Sequence, residues 1–550
     1  MIRTTIALIA ALAASPAIAD TLIDNANGIQ VGADGKLQSF NGLLIDDDGK
    51  LVRVLGPADA RPIAKVRVDA GGRTLLPGLI DAHGHVMGLG IAAIQLDLVG
   101  TTSLQELQSR LGRYAADNPN AQWVVGRGWN QENWPDKRFP TAADLDAVAP
   151  NRPVALERVD GHATVVNSAA LRAAGITRDT RDPTGGKIER DAQGNPTGLL
   201  IDAASALVTA KIPATSPAER DRALAEAQRI LLANGLTGVA DMGTSREDWA
   251  AMQRMGRAGR LQVRIMSYAA GVGEMPAGPS EWLYGDRLRM GGVKLYADGA
   301  LGSRGAYLKQ PYADAPDTRG LRFLTDAELR QQIGQASSRG LQLAVHAIGD
   351  AGNDQVISAY EQLGARTGDR RWRIEHVQIL DPTDLPRMAR SNIIASMQPT
   401  HQTSDRLMAE ARLGPNRLRG AYAWQSLAQS GARLAFGSDF PVESPNPFPG
   451  LMAAVSREDL QGQPPGGWLP HERVSFPQAL AGFTRDAAYA GFAEQKFGSL
   501  EPGKWADFII VDRDVSAVDP QSLGRTQVIE TWVAGRKAWE QAASVPGERG

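Results

Sequence analysis

Eight short apolar runs, each followed by an amphipathic helical stretch or a turn-rich loop, constrain this chain more than any other feature: LLPGLIDAHGH, LTGVADM, VRIMSYA, GVKLYADG, LQLAVHAIG, WRIEHVQI, IIASMQP and RLAFGSDFP. Alternation of strands with helices predicts an α/β fold with parallel strands, and eight such units predict a TIM-like (β/α)8 barrel. Helix signals fall between the runs. Ser216, Pro217 and Glu219 supply an N-cap, a first-turn proline and a capping box, with Gly235 as the stop. Thr325 and Glu328 repeat the box, and Gly340 is the stop.

Two departures from this rhythm set the organisation. From about Asp97 to Pro213 the chain is far longer than a β/α connection needs, which predicts an inserted subdomain at 97–213 after the first barrel strand. At both ends, short apolar runs alternate with turn chemistry, as in GADGK, GLLIDDDGK and LVRVLG near the start and FGSLEPGKWADFIIVDRD and TQVIETWVAGRKAWE near the finish. These flanks predict a small composite β-sandwich domain from residues 20–75 and 495–545, leaving 76–494 for the barrel.

Composition narrows the function. With 43% apolar and 22% charged residues the chain is an ordinary globular protein, and a net charge of -2 with intermixed signs gives no long-range attraction for nucleic acid or anionic lipid. A small-molecule substrate is expected, and a homo-oligomer is left open. The count of 0 cysteines removes disulfides, lipid-modified cysteine and thiolate metal sites. The opening residues MIRTTIALIAALAASPAIAD show a basic n-region at Arg3, an apolar stretch from Ile6 to Ala14, and the cleavage pattern Ala17-Ile18-Ala19. A signal peptide over 1–19 is expected, with a secreted or periplasmic mature protein free of the membrane. The competing reading, a membrane anchor, calls for roughly 20 apolar residues, more than this run contains.

The chemistry-bearing residues lie at the strand ends. His83 and His85 are two apart, so on a strand both imidazoles project the same way, into the mouth of a barrel. Alone, such a pair reads equally well as two solvated or core histidines. The chain has only 7 histidines, however, and His346 in LAVHAIGD and His376 in RIEHVQI occupy equivalent strand ends. Neutral imidazole is the commonest nitrogen ligand for zinc. Asp439 in RLAFGSDFP sits at the end of the last run, where a carboxylate can ligate metal and take a proton from water; capping the next turn is its alternative role. Lys294 in GGVKLYADG points into the barrel at a desolvation cost, which leaves two readings. It is either an ordinary lysine paired with Asp298 or Glu375, or a neutral amine that takes up carbon dioxide as a carbamate able to bridge two ions.

The runs PGLIDAHGH, VKLYADGALGSR, VHAIGD, IEHVQ, SMQPTH, FGSDFPVE and GSLEPGKWADFIIVD, in this order over nearly the whole mature chain, resemble the amidohydrolase superfamily, specifically its family-3 branch of N-substituted formamide deformylase-like enzymes. The resemblance implies a metal-dependent hydrolase barrel with a small composite β-domain. It also implies a metal site of His83, His85, His346, His376 and Asp439, with Lys294 as an N6-carboxylated bridge. In family members the region resembling GRGWNQENW and DGHATVVNSAAL lies over the substrate, which marks His162, Trp129 and Arg304 as candidates for substrate contact. A structural histidine, a core aromatic and a surface arginine are the competing readings. Asn130 stands where an acidic residue is expected and Val165 where the family often has an aromatic, and both bear on pocket shape. His401, just beyond the seventh run, is a further candidate substrate-binding residue on the loop-bearing rim, whereas His471 reads as a surface histidine.

The expected reaction is hydrolysis of a small-molecule C–N bond in an amide, formamide, carbamate or cyclic amide. One or two divalent ions, zinc by ligand type, acidify water and polarise the carbonyl. Asp439 is the catalytic residue that takes the proton and passes it to the leaving nitrogen, with His162 a candidate donor to the oxyanion. Ester or lactone hydrolysis or deamination at one metal fits the same barrel. So does a periplasmic binding protein that has lost its chemistry, although retention of all six candidate ligands argues against it.

Overall fold

The computed structural model describes residues 19–159 and 161–542; apart from Ala19, the leader read in the opening residues lies outside them. All eight apolar runs form strands: β1 (Leu79–Gly84), β2 (Leu236–Thr244), β3 (Arg264–Ala270), β4 (Leu288–Tyr296), β5 (Gln342–Ala347), β6 (Arg373–His376), β7 (Ile394–Met397) and β8 (Leu434–Phe436). They pair in chain order, each parallel to its neighbours, in a single sheet. Past the strand ends, Asp439 N donates to His83 O at 2.7 Å and His85 N donates to Phe440 O at 2.9 Å, so the sheet curls into a near-closed barrel. The expected barrel is present.

A buried carboxylate holds the closing seam. Asp81 accepts hydrogen bonds from the backbone N–H of His83 and of Ser438 and from the Ser438 hydroxyl. Burial raises its pKa to about 7. Gly437 has to be glycine here, because a Cβ would lie 2.3 Å from Asp81 Oδ1 and 2.6 Å from His83 N.

The helices that wrap the barrel carry the expected signals. Of those that matter below, α1 is Val86–Ile94, α2 is Pro217–Ala233, α3 is Asp326–Ser338, α4 is Asp350–Gln362 and α5 is Pro399–Leu413. The Ser216–Glu219 and Thr325–Glu328 capping boxes open α2 and α3. The first crossover is split: α1 follows β1 at once, the insertion leaves from its end, and the chain returns through α2. The two helices approach so closely that a Cβ on Gly90 would meet Ala223 O at 2.1 Å.

The insertion is a six-stranded mixed sheet running from Leu96–Asp97 to Pro196–Asp202, with its own core around Leu107, Leu111, Trp129, Trp134 and Leu156. The terminal flanks build the composite sandwich. Thr74–Pro77 pairs antiparallel with Phe508–Val511, in the register Leu76 to Ile509, joining N-terminal and C-terminal strands in one six-stranded sheet. A second sheet of four N-terminal strands faces it, and Ile23, Leu43, Leu75, Phe508 and Ile510 fill the space between. A buried ion pair ties the sandwich to the barrel: Arg264 at the start of β3 forks onto Asp507 at 2.5 and 2.9 Å.

Candidate metal centre

At the C-terminal mouth the barrel brings together His83 and His85 from the end of β1, Lys294 from β4, His346 from β5, His376 from β6 and Asp439 from just beyond β8. His401, in the first turn of α5, joins them. Asp439 Oδ1 lies 3.0 Å from His85 Nε2 and 3.4 Å from His83 Nε2, and its Oδ2 lies 3.8 Å from His401 Nε2. The His376 ring centre is 4.6 Å from that of His346, 4.7 Å from that of His83 and 5.9 Å from the stacked ring of His401. Two triads present ligand atoms within 4.8 Å of one another, His83–His85–Asp439 and His376–His401–Asp439, with the carboxylate common to both.

Backbone geometry helps to aim these groups. His376 and Asp439 adopt φ of 78° and 62°, and Val377 follows at 46°. Left-handed backbone at residues with a Cβ costs on the order of 1–3 kcal/mol each and persists where surrounding contacts over-determine it. Here those contacts include the seam bonds at Asp439 and the hydrogen bond that holds the His376 ring.

Partners behind the site orient the rings. Glu375 accepts from His83 Nδ1 at 2.6 Å and is gripped from the other side by Arg373, all three side chains being buried. Ionised, Glu375 can only accept, so Nδ1 carries the proton and the Nε2 lone pair faces the mouth. His376 Nδ1 meets Gln398 Oε1 at 2.8 Å and leaves its own Nε2 inward. His346 differs: its buried Nε2 makes no hydrogen bond and lies 3.5 Å from Asp298 Oδ1.

The electrostatics favour neutral rings and an ionised carboxylate. Burial, reinforced by Lys294, pushes the pKa of His83 down to about 4 and that of His346 down to about 3, and burial drives His376 well below the ordinary range. Burial works against the Asp439 carboxylate, but His83, the His85 hydrogen bond and His401 outweigh it and hold its pKa at about 2. Burial opposes Glu375 too, and Arg373 and His83 overcome it, keeping it ionised. Burial lowers the Lys294 ammonium to about 8. Its Nζ lies 3.5 Å from His83 Nε2 and, among the described residues, makes no ion pair with a carboxylate. The pairing with Asp298 considered above is therefore absent: that carboxylate instead accepts backbone N–H groups from Ile348, Gly349 and Tyr307.

A cavity of about 390 Å³ opens beside the centre, lined by His85, Met242, Lys294, Tyr296, Phe323 and Leu324. Larger clefts of about 530 and 510 Å³ touch none of the clustered histidines. Size does not decide, because a site needs convergent polar groups as well as room.

The four residues expected to contact substrate separate. His401 is part of the cluster. Trp129 is not: its side chain is 0% exposed, its Nε1 donates to Leu156 O at 2.8 Å, and it packs against Trp134 in the core of the insertion. It is a core aromatic, as one of the two readings had it, because the apolar core of the insertion claims it. Arg304 is paired with Asp314 at 3.0 Å on the surface. His162 stands largely exposed on the insertion with Nδ1 2.8 Å from Asp202. Val165 is buried in the core of the insertion, and Asn130 accepts from Arg158.

Sequence reasoning missed the role of the residues behind the ligands, Glu375 having been weighed only as a partner for Lys294. Asp81, and Arg373 with Glu375, stand at two-residue spacing along their strands, a signal that was available beside His83 and His376. Gln378 and Gln398 carry no such signal, since a glutamine after a strand is unremarkable.

The amidohydrolase family model matches residues 67–538. Protein LONG AFTER FAR-RED 3 of Arabidopsis thaliana is 36% identical over 504 residues, 86% of this chain and 84% of that protein. N-substituted formamide deformylase of Arthrobacter pascens is 31% identical over 507 residues, 88% of this chain and 92% of that protein. The crystal structure of an uncharacterized metal-dependent hydrolase from Pyrococcus furiosus superposes with a TM-score of 0.74 at 28% identity, covering 90% of this chain and 99% of that one.

Proposed function

The chain belongs to the amidohydrolase family and is a hydrolase acting on C–N bonds, and from that premise we propose that it cleaves a small amide, formamide, carbamate or cyclic amide with one or two divalent ions, zinc by ligand type, held at the barrel mouth. The observation that carries this reading is the set of inward ring nitrogens. His83 Nε2 and His85 Nε2 converge on Asp439 Oδ1 at 3.4 and 3.0 Å, while the Nδ1 atoms of His83 and His376 are taken by Glu375 and Gln398 behind the site. A cation suits this set, in which burial keeps His83, His346 and His376 neutral while Asp439 is ionised.

His83, His85, His346, His376 and Asp439 would hold the ions. When bound, a divalent cation of this kind acidifies water and polarises a carbonyl. The protein's own groups do the rest. Glu375 and Gln398 fix the rings of His83 and His376, and the cavity beside His85 admits the substrate. Asp439, ionised and shared between both triads, takes the proton of the attacking water on a carboxylate oxygen and delivers it to the leaving nitrogen. Lys294, buried without an ion-pairing carboxylate and with its ammonium lowered to about 8, would lose a proton and add to carbon dioxide, the N–C bond forming as the second proton leaves, and the carbamate would join the residues that hold the ions.

The mature enzyme is exported in this reading, and cleavage after Ala19 leaves the pairing of Thr21–Asp24 with Val66–Asp69 in place. Among the described residues no helix is long and apolar enough to cross a membrane. The test is hydrolysis of an N-formyl and N-acyl panel by purified protein, abolished by chelator and restored by zinc. Turnover that survives complete metal removal would refute the proposal.

A further inference from the structure

Two neighbouring rings in the cluster face opposite kinds of partner. His83 Nδ1 abuts a carboxylate, Glu375, so Nδ1 donates and Nε2 is left as a lone pair. At His401 the arrangement is reversed. Its Nδ1 lies 3.1 Å from Gln378 Nε2, and that same amide nitrogen lies 3.4 Å from Asp405 Oδ2. Turning the amide over would set Gln378 Oε1 against the Asp405 carboxylate, oxygen to oxygen, so the carboxylate keeps the NH2 where it is. Tyr422 donates to the same oxygen at 2.8 Å and anchors Asp405 in turn. Facing an amide donor, His401 Nδ1 must accept, and the proton of the neutral ring then resides on Nε2.

That Nε2 is buried and without a hydrogen-bond partner. Its nearest carboxylate oxygen, Asp439 Oδ2, is 3.8 Å away, beyond hydrogen-bond length. The ring stacks on His376 at an interplanar angle of 20°, which holds the N–H beside the shared carboxylate of the metal centre. A protonated ring nitrogen has no lone pair for a cation. Ligation by Nε2 would move the proton to Nδ1 and set N–H against N–H at Gln378.

We infer that His401 is a catalytic hydrogen-bond donor and not a metal ligand: Gln378, held by Asp405 and Tyr422, locks it in the Nε2–H form, which donates to the substrate carbonyl oxygen as negative charge develops there. The inference rests on the hydrolase reading above for its catalytic role, but not for its tautomer. It also gives the oxyanion donor a residue within the cluster, where His162 was considered before. Removing one such donor from an acyl-transfer site lowers kcat by about 10²- to 10³-fold.

The experiment labels histidine with 15N and reads long-range 1H–15N correlations in zinc-loaded and zinc-free protein, with the His401 signals identified by their loss in His401→Leu. The Nε2–H pattern is expected in both states; an Nδ1–H pattern overturns the proposal. Zinc content measured in parallel should be unchanged in His401→Leu and reduced in His376→Leu. An equal loss in both variants makes His401 a ligand and overturns it. With zinc retained, kcat of His401→Leu should fall about 10²- to 10³-fold, and an unchanged kcat refutes the donor role. Should His401→Leu fail to fold, Gln378→Leu leaves the ring in place and should shift it toward Nδ1–H; a ring that stays fully Nε2–H overturns the argument. If the wild-type protein hydrolyses nothing, the functional reading fails by itself, while the tautomer and zinc readings still decide the rest.

Discussion

Replacing Glu375 by glutamine probes the support behind the metal centre directly. Glu375 and Arg373 are both 0% exposed in their side chains, and the pair is bidentate. Taking the negative charge away while keeping the shape leaves Arg373 buried without its counter-charge, a loss of about 3–5 kcal/mol for breaking a buried pair. The same change puts an amide in front of His83 Nδ1, where an obligate acceptor stood at 2.6 Å. His83 is then free to adopt either tautomer, and metal affinity should fall by about 10- to 100-fold, as for other partners that orient a metal-bound histidine. Urea unfolding of chelator-treated protein measures the first effect and calorimetric zinc titration the second. The sign with pH is also set. The folded-state pKa of Glu375 lies below its unfolded value, so its contribution is present above roughly pH 4.3 and is lost as the solution is acidified below that. Wild type and Glu375→Gln should therefore converge in acid. A variant with an unchanged urea midpoint and a zinc Kd within about twofold of wild type, against the 10-fold minimum expected, would refute the view that this buried carboxylate organises the site.

Three further outcomes follow from the geometry. Metal-free protein should lose stability as the pH falls through the window from about 6.5 toward about 4, because His83 is held neutral to about 4 when folded and binds its proton near 6.5 when unfolded. That single group is worth about 3 kcal/mol, and a flat urea midpoint across the window would contradict the neutral, lone-pair-inward ring. Lys294→Ala should lower zinc content per chain and should not be rescued by bicarbonate; undiminished zinc content would remove the bridge. Asp507→Ala strands the buried Arg264 at the junction of barrel and sandwich and should cost about 3–5 kcal/mol in thermal or urea unfolding while leaving the zinc affinity of the folded protein intact.

The parts legible in the sequence were those whose physical signature is local. Barrel strands are covered on both faces and so read as largely apolar runs, and all eight were recovered because burial dictates most of their composition. His83, His85, His346 and His376 stood out because the chain contains only 7 histidines and strand-end position is itself local information. Trp129 shows the limit. A tryptophan in GRGWNQENW is equally compatible with a pocket wall and a core, and its burial depends on the fold of the insertion, which sets its Nε1 against the Leu156 carbonyl 27 positions away.

The roles of the histidines were illegible for a different reason. Which ring nitrogen carries the proton depends on the atom facing it, and those atoms come from elsewhere in the chain: Glu375 is 292 positions from His83, and Gln378 is 23 positions from His401. The barrel closes on the same principle, through Asp81 and Ser438, 357 positions apart. Sequence counts histidines well because imidazole is what chemistry requires at a strand end. It cannot separate a lone pair from an N–H, since both are the same letter. Only the fold, by setting a carboxylate against one ring and an amide donor against another, turns a cluster of equivalent residues into ligands and a donor.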